Sequence, residues 1–218
     1  MHSHPVRLAA LLLVFWAGGG PLQAAEKTVN ITPDVASVTV LHQGRKIKIE
    51  RNPDTENMLD PDYSLTSRPC PPFCIQPMQL APGVETIGEL EMLEYLKKVG
   101  KDASVLVIDS RDSDWPQRSG ILPGALLLPW QELHPAHSDA DKIADILIFR
   151  FGATRQGGLW NFETAKTLVL YCNGPWCGQS PTNIKQLLAI GYPAHKLKWY
   201  RGGVQDWKML GLTTIAPK

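Results

Sequence analysis

The chain has 218 residues, of which 44% are hydrophobic and 20% are charged, so it can form one full core with an appended segment. It holds 22 basic and 21 acidic residues, and loss of Arg7 with an N-terminal signal would leave 21 of each. A nucleic-acid-binding protein needs a surplus of Lys and Arg. The balanced charge therefore argues against a nucleic-acid partner.

Residues 1–25 have the pattern of a secretory signal peptide. Arg7 precedes a short apolar run from Leu8 to Ala17, and small residues lie ahead of Glu26. The run is short for a membrane span, and no later segment approaches ~18 continuous apolar residues. We therefore predict export to the periplasm and no membrane span in the mature chain, with an uncleaved membrane anchor as the alternative.

Residues 26–66 are predicted to form a β-hairpin extension. The segments Val38–His42 and Lys46–Glu50 alternate in polarity or favour β-branched residues, and they flank a turn at Gly44. An isolated hairpin is marginally stable in water. We therefore expect the hairpin to pack on the main domain.

Residues 67–81 are predicted to be a Pro/Cys-rich linker in which prolines fix the shape of the loop around Cys70 and Cys74. Four interpretations remain open for these two cysteines. They form a local disulfide, they exchange with a second cysteine pair later in the chain, they bind a soft metal such as Cu(I) with Met78 as a thioether ligand, or they stay unpaired.

Residues 82–218 alternate between helical and strand patterns, which predicts an α/β fold with a central parallel sheet. A capping-box pattern at Thr86–Glu89 opens the first helix. The predicted strands are Val105–Ile108, a buried strand after the turn at Gly120–Pro129, Thr167–Cys172 and Leu197–Tyr200. Four helices are predicted: one that ends at Gly100, one over Asp139–Phe151, one from Ser180 to Gly191, and a short final one that ends before Gly211. A glycine-rich loop is expected over 152–160.

Cys172 ends the apolar strand Thr167–Cys172, and the loop 173–179 that follows contains two glycines and a proline. Ser180 and Pro181 are predicted to be the N-cap and first residue of the next helix. A sulfur above a helix N-terminus meets unpaired N–H groups and the positive end of the dipole, which favours the thiolate. Cys172 is therefore a candidate nucleophile.

Cys177 places a second thiol in the same loop. An even number of cysteines in an exported protein usually indicates disulfides, but both pairs here would close only short loops and add little stability. Close pairs fit redox or sulfur chemistry, or a metal, at least as well. The histidines show no paired ligand spacing, so we predict no zinc site and no cofactor.

Five motifs in this order resemble a rhodanese domain over residues 82–216. They are Asp109-x-Arg111, Gly120–Ala125 with Ile121 where a histidine is usual, Leu170-Tyr171-Cys172, Ser180 followed by Gly191-Tyr192, and Gly202-Gly203-Val204 with Trp207. The resemblance implies a three-layer α/β domain and a sulfurtransferase activity. Because a strand-end Asp and Arg near the loop can hydrogen-bond the backbone and fix the shape of the site, Asp109 and Arg111 are predicted to be structural supports rather than catalytic groups.

The loop after Cys172 departs from the family pattern. Seven residues separate Cys172 from Ser180, where five are usual, and Gln179 replaces the arginine that commonly precedes the serine. Without arginine the loop has no bidentate donor for sulfate- or phosphate-like groups. This disfavours phosphatase activity and counts against thiosulfate as the donor.

The family activity implies that the Cys172 thiolate attacks the outer sulfur of a donor such as thiosulfate, and that a thiol or other thiophilic acceptor then removes the sulfur from the Cys172 persulfide. Backbone N–H groups of the loop would hold the terminal sulfur, with glycines supplying unusual φ values. Trp176 is expected either to wall the pocket or to pack within the loop. The implied substrate-binding residues are Asn173, Gly174, Trp176, Gly178, Gln179 and Ser180.

Two further interpretations concern Cys177 and the protein as a whole. Cys177 could attack the Cys172 persulfide and release sulfide, or it could form an inert disulfide with Cys172. Instead of a sulfurtransferase, the protein could be a periplasmic thiol–disulfide exchange protein that uses Cys172/Cys177 and Cys70/Cys74, or a non-catalytic, copper-binding module. The expected partners are a small sulfur donor and a thiol acceptor, and the sequence identifies no protein partner.

Overall fold

The structure is a computed structural model that describes residues 28–217. The predicted signal peptide at 1–25 lies outside the described residues. The strands are β1 (Ser37–His42), β2 (Arg45–Glu50), β3 (Glu85–Ile87), β4 (Val105–Asp109), β5 (Leu126–Leu127), β6 (Thr154–Gln156), β7 (Leu159–Asn161), β8 (Thr167–Tyr171) and β9 (Leu197–Tyr200). The α-helices are α1 (Pro61–Ser64), α2 (Glu89–Lys98), α3 (Asp114–Ser119), α4 (Ala140–Asp145), α5 (Gln179–Ala189) and α6 (Gly203–Met209).

A five-stranded parallel sheet forms the centre of the molecule, with strand order β3-β9-β8-β4-β5. Strand β8 lies in the middle, where Val107 of β4 pairs with Val169 and Trp199 of β9 pairs with Leu170. Since both faces of a parallel sheet are covered, its central strands are apolar without alternation. The predicted central parallel sheet is confirmed.

Successive residues of the central strands point to two separate hydrophobic clusters. Val107 and Val169 belong to one cluster, whereas Ile108 and Leu170 belong to the other. The first cluster also contains side chains of α2, α6 and the β1–β2 hairpin. The second contains side chains of α5 and of the helical segment 146–150. The result is the predicted three-layer α/β arrangement.

The β1–β2 hairpin is antiparallel, as predicted, and shares the first cluster with α2. Val40 and Ile49 are buried there together with Leu96. The backbone N–H of Asn52 also donates to the carbonyl of Gly211 at 2.7 Å. The extension therefore packs on the main domain, while the boundaries 26–66, 67–81 and 82–218 stay predictions.

Several elements differ from the sequence-based expectation. The strand expected to be buried after Gly120–Pro129 is the two-residue β5, which is half-buried because it lies at the edge of the sheet. The loop expected over 152–160 contains the β6–β7 hairpin, whose turn holds Gly157 and Gly158 at positive φ. The helix expected over Asp139–Phe151 is α4 followed by a π-helical turn.

The predicted capping box at Thr86–Glu89 is displaced. Thr86 lies in β3, where it pairs with Trp199, and helix α2 begins after Gly88. The backbone N–H of Gly88 donates to the side chain of Glu91 at 3.0 Å, so the reciprocal half of the motif is present two residues later. Pairing with β9 therefore overrides the local capping signal.

Across residues 28–217, no helix combines the length and apolar character needed to cross a membrane. The same residues contain no cluster of three or more His, Cys, Asp or Glu side chains arranged to hold a metal ion.

Candidate functional site

Cys172 lies directly after β8 and is only 2% exposed. The N-terminus of α6 supports this position, because the backbone N–H groups of Val204 and Gln205 donate to the carbonyls of Cys172 and Asn173 at 3.0 and 2.8 Å. Gly203 has a φ of 60°, and a Cβ there would overlap the carbonyl oxygen of Cys172. The Gly-Gly motif thus allows α6 to approach the loop.

The sulfur of Cys172 accepts a hydrogen bond from the hydroxyl of Ser180 at 3.1 Å. The indole Nε1 of Trp199 donates to the same hydroxyl oxygen at 3.2 Å, which orients Ser180 toward the sulfur. The prediction that Ser180 caps α5 is wrong, because its hydroxyl is directed to Cys172 and Gly178 takes the N-cap position. The expected position of the sulfur beside the start of this helix is nevertheless observed.

Opposing influences act on the two thiols. Burial raises the pKa of the Cys172 thiol, but hydrogen bonds from the Cys177 thiol, the Ser180 hydroxyl and the backbone N–H groups of Ser180 and Asn173 outweigh burial, so the pKa is lowered. Burial, the hydrogen bond to Cys172 and the charge of Cys172 raise the pKa of Cys177 well above its usual value. Cys172 is therefore the thiol of the pair that loses its proton first.

Cys172 and Cys177 are both free, so the inert disulfide between them is not present in the structure. Nδ2 of Asn173 donates to the Cys177 sulfur at 3.9 Å. The Cys177 thiol in turn donates to Oε1 of Gln179 at 3.6 Å. Its backbone N–H donates to the carbonyl of Gly174 at 2.9 Å, which closes the loop into a turn.

The glycines of the loop do not act as expected. Gly174 and Gly178 both lack a positive φ, so the prediction that they supply unusual backbone conformations is wrong. Gly174 is required for space instead, because a Cβ there would lie 2.9 Å from Oε1 of Gln205. Of the loop amides expected to cradle the sulfur, those of Asn173 and Ser180 act on it.

A cavity of about 330 Å³ opens beside the loop. Among the predicted site residues, Asn173, Cys177, Gly178 and Gln179 line it. Cys172 does not line the cavity, but its sulfur lies 3.5 Å from the carbonyl oxygen of Cys177, which does. A similar cavity of about 360 Å³ between the hairpin and the C-terminal segment is lined by no cysteine.

Six further residues of the cavity wall were not among the predicted site residues. They are Pro72, Phe73, Asp112, Trp115, Trp130 and Thr182. The sequence signal for Asp112 was its place directly after the Asp-x-Arg motif at the end of β4, whereas the other five lie outside the motifs. Trp176 is not part of this wall. Its Nε1 donates to Gln205 at 2.7 Å and its ring contacts Phe73, so it packs within the loop.

The linker packs directly against the Cys172 loop. Cys70 and Cys74 are joined by a disulfide with Cα atoms 4.8 Å apart, which is the first of the four interpretations given above. The disulfide occupies both thiols, so the copper site with Met78 is excluded in this state. The backbone N–H of Gln76 donates to the carbonyl of Pro175 at 2.9 Å, which joins the linker to the loop.

Asp109 and Arg111 form a fully buried ion pair with Nη2 and Oδ2 2.6 Å apart. The Arg111 guanidinium also donates to the hydroxyls of Tyr63 and Ser119 at 3.0 and 2.9 Å. The hydroxyl of Tyr171 donates to Asp109 at 3.0 Å. These contacts join β4, β8, α1 and α3 beneath the loop, and neither charged group touches the thiols, which fits a supporting role.

A family model described as "Rhodanese-like domain" matches residues 92–210. No curated protein matches the chain significantly. Similar solved structures include a protein of unknown function from Rhodopseudomonas palustris CGA009, titled a possible tyrosine phosphatase, with 20% identity, a TM-score of 0.44 and coverage of 61% of this chain and 85% of that chain.

Two other similar structures have lower TM-scores. The BH2092 protein from Bacillus halodurans has 17% identity, a TM-score of 0.40 and coverage of 60% of this chain and 77% of that chain. The human single-domain sulfurtransferase TSTD1 has 19% identity, a TM-score of 0.38 and coverage of 58% of this chain and 96% of that chain. The family model covers more than half of the chain. The protein therefore belongs to the rhodanese-like domain family, whose members are typically sulfurtransferases.

Proposed function

We propose that the protein is a sulfurtransferase that carries sulfane sulfur on Cys172. The observation that supports this most strongly is the position of the Cys172 sulfur beside the start of α5, where the Ser180 hydroxyl donates to it at 3.1 Å and the pKa of Cys172 is lowered despite burial. A thiolate is the nucleophile in sulfur chemistry. The same N–H and O–H donors suit the negative terminal sulfur of a persulfide.

The proposed reaction has two steps. The Cys172 thiolate attacks the outer sulfur of a donor such as thiosulfate, the S–S bond of the donor breaks, sulfite leaves with its electron pair, and a Cys172 persulfide forms. A thiolate acceptor then attacks the terminal sulfur, takes it up as a new persulfide and restores the Cys172 thiolate. No net oxidation occurs, because each S–S bond that breaks is replaced by another.

Intact-mass measurement tests this proposal. Reduced protein is incubated with thiosulfate, and in parallel with sodium polysulfide, and the mass is recorded before and after addition of an acceptor thiol. We expect a gain equal to one sulfur atom that disappears with the acceptor and is absent in Cys172→Ser. Uptake of sulfur by Cys172→Ser, or none by the wild type with either donor, would reject the proposal.

A resolving role for Cys177 is the second candidate, supported by the contact of the Cys172 sulfur with the Cys177 carbonyl oxygen at 3.5 Å, which places the two cysteines side by side. Cys177 would give its proton to solvent and its sulfur would attack the inner sulfur of the Cys172 persulfide; hydrosulfide would leave, and a Cys172–Cys177 disulfide would remain until an external thiol reduced it. In that case the wild type loaded with polysulfide releases sulfide without an acceptor, whereas Cys177→Ser retains the persulfide. Equal sulfide release by both proteins would eliminate this role.

We also propose that the protein works in the periplasm after export. The signal-like pattern at residues 1–25 and the Cys70–Cys74 disulfide support this location, because disulfides persist in oxidising compartments. Fractionation of cells that produce the full chain, with N-terminal sequencing of the product, tests it. A product that keeps residues 1–25 in the cytoplasmic fraction would contradict the proposal.

A further inference from the structure

The cavity beside Cys177 has walls made largely of aromatic rings. Phe73, Trp115 and Trp130 line it, together with Pro72. No two of these three rings are in contact with each other. They therefore enclose space instead of filling it, and the volume of about 330 Å³ is within the range of pockets that take small organic molecules.

Each aromatic wall is held in place by contacts outside the cavity. Phe73 packs edge-on against Trp176 with centroids 5.3 Å apart, and it lies in the loop that the Cys70–Cys74 disulfide closes. Trp115 contacts Tyr63 and Trp176, with centroids 5.9 and 6.2 Å apart. Walls that are fixed before binding reduce the entropy lost when a ligand orders them.

Of the residues in the described part of the chain, Asp112 is the only charged one that lines this cavity. Its carboxylate accepts hydrogen bonds from Nε1 of Trp130 at 3.0 Å and from the side-chain amides of Gln131 and Gln179, both at 2.5 Å. These donors are uncharged, and no cation among the described residues forms an ion pair with Asp112. The cavity wall therefore carries a net negative charge.

The nearest cations lie against the outer rings of the wall and do not line the cavity. Arg68 lies over the Trp176 ring, 4.3 Å from its centroid, and its guanidinium is also 5.3 and 6.0 Å from the ring centroids of Phe73 and Trp115. Arg118 lies 4.7 Å from the Trp115 centroid and is neutralised by ion pairs with Asp62 and Asp114 at 3.0 and 2.7 Å. Neither arginine lines the cavity.

We infer that the organic sulfur compounds exchanging with Cys172 are uncharged or cationic and bind in this cavity. The inference rests on the proposed function. An aromatic wall binds an apolar body or an ammonium group, whereas Asp112 and the Cys172 thiolate both repel an anion. Cys177 lines the cavity, and its carbonyl oxygen lies 3.5 Å from the sulfur of Cys172.

The step can be written for an organic persulfide, R–S–SH. The Cys172 thiolate attacks the outer sulfur, the S–S bond of R–S–SH breaks, and Cys172 becomes Cys–S–SH. The leaving thiolate R–S⁻ remains in the cavity and takes a proton from solvent. The reverse direction gives the sulfur to a thiol acceptor with the same charge preference, so donor and acceptor share one pocket.

Three persulfides of similar size test the inference by the rate of sulfur uptake on Cys172, measured by quenched intact mass at neutral pH. They derive from cysteamine, whose R group is cationic, from 2-mercaptoethanol, whose R group is neutral, and from 3-mercaptopropionate, whose R group is anionic. We expect the anionic donor to be slower than the cationic one by on the order of tenfold, with the neutral donor between them. Added salt should reduce this difference in the wild type.

Asp112→Asn should bring the cationic and anionic rates to within about threefold of each other, because it removes the charge and keeps the shape. Asp102→Asn is the matched control. Asp102 is exposed and precedes β4, whereas Asp112 follows the same strand, so this variant should keep the wild-type preference. Sodium polysulfide, which has no organic body, reports whether Cys172 is reactive in each protein.

The outcomes separate the two proposals. If no donor, including polysulfide, loads Cys172, the sulfurtransferase function fails and the inference fails with it. If Cys172 loads and the anionic persulfide is as fast as the cationic one, only the inference is overturned. A preference that is unaffected by salt and by Asp112→Asn would also overturn it, since charge in the cavity would then not be the cause.

Discussion

The hydroxyl of Tyr63 donates a hydrogen bond to Oδ1 of Asn173 across 3.0 Å, although the two residues are 110 positions apart. Tyr63 belongs to the N-terminal extension, and Asn173 is the first residue after Cys172. The same hydroxyl accepts from Arg111 at 3.0 Å. The extension is therefore connected both to the buried ion pair and to the loop that holds the two thiols.

Tyr63→Phe removes this connection and takes the hydroxyl donor away from the buried Oδ1 of Asn173, while Arg111 keeps its bonds to Asp109 and Ser119. We expect the free energy of unfolding to fall by about 1–3 kcal/mol, the usual cost of unsatisfied buried groups. Urea unfolding measures this free energy in protein whose Cys172 and Cys177 are reduced and whose Cys70–Cys74 disulfide is intact. Tyr95→Phe is the control and should stay within about 0.5 kcal/mol. Equal losses in both variants would contradict the role of the Tyr63 hydroxyl.

Ser180→Ala should raise the pKa of Cys172, because the thiolate loses its hydroxyl donor. At neutral pH, alkylation of Cys172 by iodoacetamide should slow by a factor of roughly three to ten, as expected when a hydrogen bond to a charged group is lost. The pH dependence of the alkylation rate, followed by peptide mass, gives the direction of the shift. Thr182→Ser, which keeps a hydroxyl near the loop, should behave as wild type, and an unchanged profile in Ser180→Ala would be inconsistent with this geometry.

The stability of the protein should depend on pH through Cys172. Because its pKa is lower in the folded than in the unfolded chain, folding is increasingly favoured as the pH rises from the folded pKa toward 9.0, the ordinary value, and this contribution is lost as the pH falls through the folded pKa. Cys172→Ser should therefore gain less stability between neutral pH and pH 9.0 than the wild type does. Denaturant unfolding of both proteins at the two pH values, with Cys172 and Cys177 kept reduced, tests this. A larger gain in the free energy of unfolding in Cys172→Ser than in the wild type would contradict the prediction.

Above pH 9.0 the contribution of Cys177 has the opposite sign. Its pKa is raised in the folded chain, so the unfolded chain loses this proton first and folding becomes less favourable as the pH rises. Comparison of Cys177→Ser with the wild type above pH 9.0 should show a smaller loss of stability in the variant. Identical pH profiles of the two proteins would contradict a raised pKa of Cys177 in the folded chain.

Gly203→Ala should destabilise the site through a direct overlap. An added Cβ would meet the Cys172 carbonyl and lie 2.7 Å from the backbone nitrogen of Gly174, at a φ of 60°. We expect a loss of about 2–4 kcal/mol, with slower sulfur uptake. Gly157→Ala is a matched control, because Gly157 has a φ of 56° with nothing within 4 Å of the added Cβ, and it should cost about 1 kcal/mol. Equal losses would mean that φ alone, and not the overlap, decides the effect.

The central strands and the place of Cys172 could be predicted from local sequence. The apolar run of β8 is long enough to be recognised, and a loop with two glycines and a proline must end it, which leaves Cys172 at the strand end. The start of α5 could not be predicted in the same way. Ser180 has the local character of an N-cap, but Trp199 on another strand orients its hydroxyl toward sulfur.

The amino-acid sequence alone determined the α/β class, the hairpin and the order of motifs around Cys172, because periodicity and turn residues act between neighbours in the chain. Only the tertiary structure decided what surrounds the thiols. Phe73, Asp112 and Trp130 come from separate segments and meet Cys177 only after the sheet forms. Burial and hydrogen bonds, which split the two thiol pKa values, depend on such contacts between distant residues and have no counterpart in local sequence.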